Sequence, residues 1–199
     1  MTTSFWIEKA WGGQVDSATI NDIMVAINET INMDDEHGAF WVGHSENERV
    51  LEVHKGLDIF YMPSNNLDDQ LKTKLNSWQE VEYLYRQFLD EKYEQITTFI
   101  KARNDRVKII ETLKKLLYFF EEHKVSDWTE RTKNAIQQIQ EGKDKKTILH
   151  NFVGVGMGSL IDLYICVHNG YFLQESEAEA NMQLQKLTEQ ILTIQNALQ

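Results

Sequence analysis

The period of apolar and polar positions changes near the middle of the chain. Up to about residue 100, short alternating runs dominate; beyond it, every apolar stripe has helical spacing. Residues 4–8 (SFWIE), 39–44 (AFWVGH), 50–55 (VLEVHK) and 57–62 (LDIFYM) predict strands, and 71–76 (LKTKLN) predict one more. A two-residue loop at Asn47-Glu48 would pair Ser45 with Val50, Val42 with Val53 and Trp41 with His54. Cross-strand partners share a face. Phe40, Val42, Leu51 and Val53 then lie on one face, and Trp41, Glu52 and His54 on the other. Pro63, the only proline, closes the 57–62 strand, where a missing N–H matters least.

Two helices belong to the same half. Ile20, Ile23, Met24, Ile27 and Ile31 predict one over Ser17 to Asn32, with Ser17 as N-cap. The turn Asp34-Asp35-Glu36-His37-Gly38 ends it. Ser77-Trp78-Gln79-Glu80 has a capping-box pattern and opens a second, with Val81, Leu84, Tyr85, Phe88 and Leu89 on one stripe. The order β-α-β-β-β-β-α predicts an α+β fold with an antiparallel sheet and two helices.

The second half predicts a helical bundle. A long helix covers 104–123, with Val107, Ile110, Leu113, Leu117 and Phe120 on its stripe. A second starts near Ser126, capped by Ser126 or Asp127, carries Trp128, Thr132, Ala135, Ile136 and Ile139, and ends at Gly142. A third runs through Ile148, Leu149 and Phe152 to a bend at Gly154-Val155-Gly156-Met157-Gly158. A fourth is expected from Ser159 to His168 and a fifth over 177–199. No Pro- or Ser-rich linker interrupts the chain, and the junction near 95–104 reads as helix. The expected domains are an acidic α+β domain over 1–98 and an all-α bundle over 99–199.

Composition narrows the class. Of 199 residues, 42% are apolar and 26% charged, which fits a folded domain and not a disordered tail. No run reaches the ~18 uncharged apolar residues of a spanning helix. The opening MTTSFWIEKAWGG has neither the basic nor the apolar stretch of a signal peptide. Cys166 is the only cysteine, so no internal disulfide can form. These features lead us to expect a cytoplasmic protein with no membrane partner. The net charge of −11 is unevenly spread: residues 1–100 hold 18 Asp and Glu against 7 Lys and Arg, whereas 101–199 hold 13 of each. An acidic surface repels nucleic acid and speeds encounter with basic proteins.

Candidate chemistry is sparse. The segment GVGMGSLIDLY lacks the preceding strand of a dinucleotide fingerprint and the Gly-Lys-Ser/Thr of a phosphate loop, so it reads as a tight turn with Ser159 capping the next helix. His37, His44, His54, His123, His150 and His168 show no metal-ligand spacing. Cys166 falls in the middle of the expected fourth helix, among apolar Leu163, Ile165 and Val167, and reads as a core residue. There is no nucleophile elbow and no convergent pair of carboxylates. No catalytic residue, metal or cofactor is expected. What remains suits protein binding. Asp34, Asp35 and Glu36 form one acidic cluster; Asp68 and Asp69, with Glu46 and Glu48, form another. An outward Trp41 beside Glu52 and Tyr61 would make an aromatic patch rimmed by acid, the usual anatomy of a hot spot. Helices over both sheet faces would instead bury Trp41. Leu184, Leu187, Ile191, Ile194 and Leu198 are spaced as a short seam, for packing inside the bundle or for a homodimer.

The segment VLEVHKGLDIFYM, the LKTKLN strand and SWQEVEYLYRQFL together resemble small α+β immunity proteins of bacterial polymorphic-toxin systems. The segment NFVGVGMGSLIDLYI resembles a helical domain with a Gly-Gly-Met-Gly-Ser-Leu-Asn-Asp pattern found in the same neighbourhoods. Met157, Gly158, Ser159, Leu160 and Asp162 match it; Val155 and Gly156 replace the glycine pair in part, and Ile161 replaces the Asn. The resemblance implies a cytoplasmic, non-enzymatic protein that neutralises a cognate toxin, in many systems a basic nuclease. The other readings are an adaptor that dimerises through its C-terminal helix, and an unrecognised enzyme.

Overall fold

The computed structural model describes residues 4–154 and 156–198; Val155, part of the glycine-rich motif, lies outside them. The fold is α+β. The chain divides into two units, Met1–Asn104 and Asp105–Gln199.

The first unit is built on β1 (Phe5–Lys9), β2 (Gln14–Asp16), α1 (Ile20–Asn32), β3 (Ala39–His44), β4 (Val50–His54), β5 (Asp58–Met62), β6 (Leu71–Lys74) and α2 (Trp78–Leu89); α3 (Tyr93–Glu122) starts in it. The six strands form one sheet in the order β2-β1-β3-β4-β5-β6, antiparallel throughout. β2 was not expected: three residues after Gly12-Gly13 are too few to show a period. α1 starts three residues later than expected. Ser17 has φ of 57° and does not cap it. Thr19 does, with Asp22 accepting from the Thr19 backbone N–H at 2.8 Å.

Pairing of β3 with β4 is shifted by two residues from the expected register. Trp41 faces Glu52, Val42 faces Leu51 and Phe40 faces Val53. The connection spans Ser45–Arg49, closed by His44 N–H donating to Arg49 C=O at 2.9 Å, with Glu48 at φ 55°. Because side chains alternate with period two, a two-residue shift leaves every side chain on its expected face. Phe40, Val42, Leu51 and Val53 are all fully buried.

That face is covered by α1 (Ile23, Ala26, Ile27), α2 (Val81, Leu84, Tyr85, Phe88) and the first turns of α3 (Ile96, Ile100). Tyr85 stacks on Phe40 at 5.1 Å, and its hydroxyl donates to Leu51 C=O. Arg103 Nε and Asn104 Nδ2 donate to the backbone carbonyls of Lys74 and Lys72 at 2.5 and 2.8 Å. The exposed edge of β6 is thereby closed to a further strand.

The second unit holds the rest of α3, α4 (Ser126–Gln140), α5 (Lys145–Val153) and α6 (Glu177–Ala197). Two expectations are corrected. The buried stripe of α3 here is Ile109, Leu113, Leu116 and Phe120, rotated from the expected one, and Val107 is exposed. α4 takes Val125 as N-cap, with no side-chain cap. Trp128, Thr132, Ala135, Ile136 and Ile139 are buried as expected.

The expected fourth helix does not form. Residues 159–176 run as an irregular strap with only two single 3-10 turns, Leu160–Asp162 and Val167–Asn169. Asn181 explains the middle of it: its Oδ1 accepts from Ile165 N–H at 2.8 Å, and its Nδ2 donates to Ile165 C=O at 2.7 Å. Both backbone groups that a helix would use are taken. Cys166 is accordingly half-buried in the strap and not a mid-helix core residue. Ser159 hydroxyl donates to Asp162 without capping a backbone N–H. The C-terminal seam is used inside its own unit: Leu184, Leu187, Ile191 and Ile194 are buried in the bundle core, with Leu198 packed against it.

Candidate partner-binding face

The other side of the sheet has a different character. One row across the strands reads Asp16, Trp6, Gly43, Val50 and Met62; the next reads Gln14, Glu8, Trp41, Glu52, Phe60 and Lys72. Trp6, Trp41, Phe60, Val50 and Met62 are half-buried and stand outside the core cluster of this unit. Trp41 sits between Glu8 and Glu52 on neighbouring strands.

Gly43 shapes this face. A Cβ at that position would lie 2.0 Å from the Trp6 ring, so the indole occupies the space that a side chain at residue 43 would need. Glu52 contacts His54 Nε2 on the same strand. Lys72 Nζ stands 4.7 Å above the Phe60 ring, a cation–π contact. Carboxylates thus flank the indoles on β1, β2 and β4, while cations sit on the β6 edge.

The expected site residues separate into three groups. Trp41 and Glu52 lie together on this face. Tyr61 does not: it pairs with Leu51 on the helix-covered side and is fully buried. Phe60 takes the expected place beside Glu52. The alternation in LDIFYM put Tyr61 with Ile59, but the face of this strand needed a register the sequence alone did not supply. Trp6 and Glu8 were missed for the same reason.

The acidic clusters sit at opposite ends of the sheet. Asp34, Asp35 and Glu36 precede β3, beside the β4–β5 turn, where Lys55 Nζ donates to Met33 C=O and Lys55 N–H to Gly38 C=O at 2.6 Å. Asp34 accepts from His37 N–H at 2.8 Å and lies 2.9 Å from its ring Nδ1. These bonds hold the Asp34 carboxyl below its ordinary range. Glu46 and Glu48, in the β3–β4 loop, share the other end with Asp68 and Asp69, in a 3-10 turn between β5 and β6. All seven carboxylates are exposed.

Among the described residues, no group of three or more His, Cys, Asp or Glu could hold a metal ion. No helix among them is long and apolar enough to cross a membrane. Comparison with known proteins found no matching family model, no matching curated protein and no matching solved structure.

Proposed function

We propose that this chain is an immunity protein that binds and neutralises a cognate bacterial toxin domain in the cytoplasm, without catalysis of its own. The single observation that carries the reading is the side of the sheet opposite α1 and α2 in the first unit, where Trp6, Trp41 and Phe60 lie among Glu8, Glu52 and Asp16. Large rigid aromatics supply contact area at small entropy loss, and surrounding carboxylates select a basic partner and steer its approach. A basic toxin, a nuclease among the candidates, is the partner such a face suits. The sequence resemblance to immunity families points the same way.

The test uses the product of the adjacent gene as partner. Its association with this chain is followed by stopped-flow fluorescence across a salt series. Fast association that slows steeply with salt is expected for the natural chain. Glu8→Lys with Glu52→Lys should flatten that dependence, and Trp41→Ala should mainly raise the dissociation rate. Association that ignores salt, or binding unchanged by all three substitutions, would overturn the assignment of this face.

A further inference from the structure

On the face of the sheet opposite α1 and α2, one row sets Glu8 of β1 opposite Trp41 of β3, and Trp41 opposite Glu52 of β4. Side chains so paired share a face and lie within reach of one another. The Trp6 indole fills the space beside Gly43, two residues along β3 from Trp41, and so walls one side of this row. Trp41 and Glu52 are half-buried, and Glu8 is exposed. The two carboxylates come from strands about 10 Å apart, two strand spacings, with the indole between them.

Among the described residues, no lysine or arginine answers this charge. Glu8 forms no ion pair among them. Glu52 meets His54 through Oε1, and its Oε2 has no hydrogen-bond partner among the described residues. No Lys or Arg among them stands over the Trp41 ring. The next aromatic of the same row is in the opposite state: Lys72 Nζ stands 4.7 Å from the centre of the Phe60 ring. Trp offers a cation a stronger face than Phe does. The chain therefore fills the weaker seat of the row itself, and the stronger one, flanked by two carboxylates, is left for a cation from elsewhere.

The spacing decides which cation fits. An ammonium is a compact point charge and would meet one carboxylate at a time. A guanidinium lies flat on an indole and presents N–H donors along both edges, so one group stacks on Trp41 and donates to Glu8 and Glu52 together. Building on the partner-binding reading of this face, we infer that the row is the seat of one arginine side chain of the partner protein, stacked on Trp41 and held between the two carboxylates. A basic partner is thereby narrowed to one that offers a protruding arginine.

The probe is the capped tripeptide acetyl-Gly-Arg-Gly-amide, titrated into the isotope-labelled full-length chain and followed by two-dimensional NMR at low salt, beside the lysine and citrulline tripeptides. The arginine peptide is expected to shift the Trp41 indole N–H and the Glu8 and Glu52 amides, and to bind at least about threefold more tightly than the lysine peptide. Uncharged citrulline should leave these signals in place. Trp41→Leu should weaken arginine binding at least about fivefold, through the lost cation–π contact. Glu8→Gln and Glu52→Gln should each weaken it about two- to fivefold, the range of a partly exposed ion pair. Glu130→Gln, which removes an exposed carboxylate from α4, should leave it unchanged. The same spectra report whether each variant keeps the sheet, and Glu8→Gln alters an exposed position without touching the core. No shift of these signals at millimolar peptide, lysine bound as tightly as arginine, shifts away from this row, or affinity unaffected by both Glu substitutions would overturn the arginine seat. Neutralisation of the neighbouring gene product that depends on Trp41 would in that event still uphold the partner-binding face. An arginine peptide that seats on the row, beside a harmless neighbour, would uphold the seat and remove the toxin.

Discussion

Tyr61 shows how one residue's place in the pleat changes its chemistry. Turned outward, it would be a contact residue; on the covered side, its hydroxyl is buried without a hydrogen-bond partner among the described residues. Burial pushes its phenol up to about 12, with the nearby Arg49 charge pulling the other way. The fold therefore favours the neutral phenol. That stabilisation is intact below the ordinary value near 10 and is lost as pH rises through about 12. Denaturant unfolding at pH 7 and pH 11 should show Tyr61→Phe as neutral or slightly stabilising at pH 7, with a smaller alkaline loss than the natural chain. A loss of more than about 1 kcal/mol at pH 7 would mean the hydroxyl has a partner. Asn181 is the converse case, a half-buried amide whose groups are used on both sides of Ile165. Asn181→Leu should destabilise by roughly 1–3 kcal/mol in the same assay, because it strands two backbone groups.

The elements were legible where a period ran long enough and opaque where tertiary bonds overrode it. β3, β4, α2, α4 and α6 declare themselves through four or more consistent positions. The β3–β4 register slipped by two, yet the faces survived, because only odd shifts invert them. LIDLYICVHN has helical spacing, but the amide that holds Ile165 comes from sixteen residues away, and no local pattern announces it. β2 and the place of Trp6 were likewise hidden, since both depend on which strands become neighbours. Of the proposed binding face, Trp41 and Glu52 could thus be named in advance; Trp6, Glu8 and Phe60 required the sheet order. Gly43 gives an element-level test. Gly43→Ala should push the Trp6 indole off the sheet, lowering partner affinity several-fold and destabilising the fold by about 1–3 kcal/mol, the usual cost of overpacking. Unchanged affinity would remove Trp6 from the proposed binding face.

At the scale of the whole molecule, charge is partitioned. Residues 1–104 hold 18 carboxylates and 9 cations, a net of −9, against 13 and 11, a net of −2, in residues 105–199. A long-range field of one sign acts on encounter more than on residence. Reversing Asp34, Asp35 and Glu36, or Asp68 and Asp69, should therefore slow association with a basic toxin and reduce its salt dependence while leaving dissociation nearly constant. Dissociation that speeds up instead would place those exposed turns inside the contact. The most direct measurement is bacterial growth with the adjacent gene under an inducible promoter, alone, with this chain, and with its Trp41→Asp variant. An immunity protein that binds through the sheet face predicts arrest by the neighbour, rescue by the natural chain, and failed rescue by a variant that still folds. A harmless neighbour, or a toxic one that this chain does not neutralise, would contradict that function.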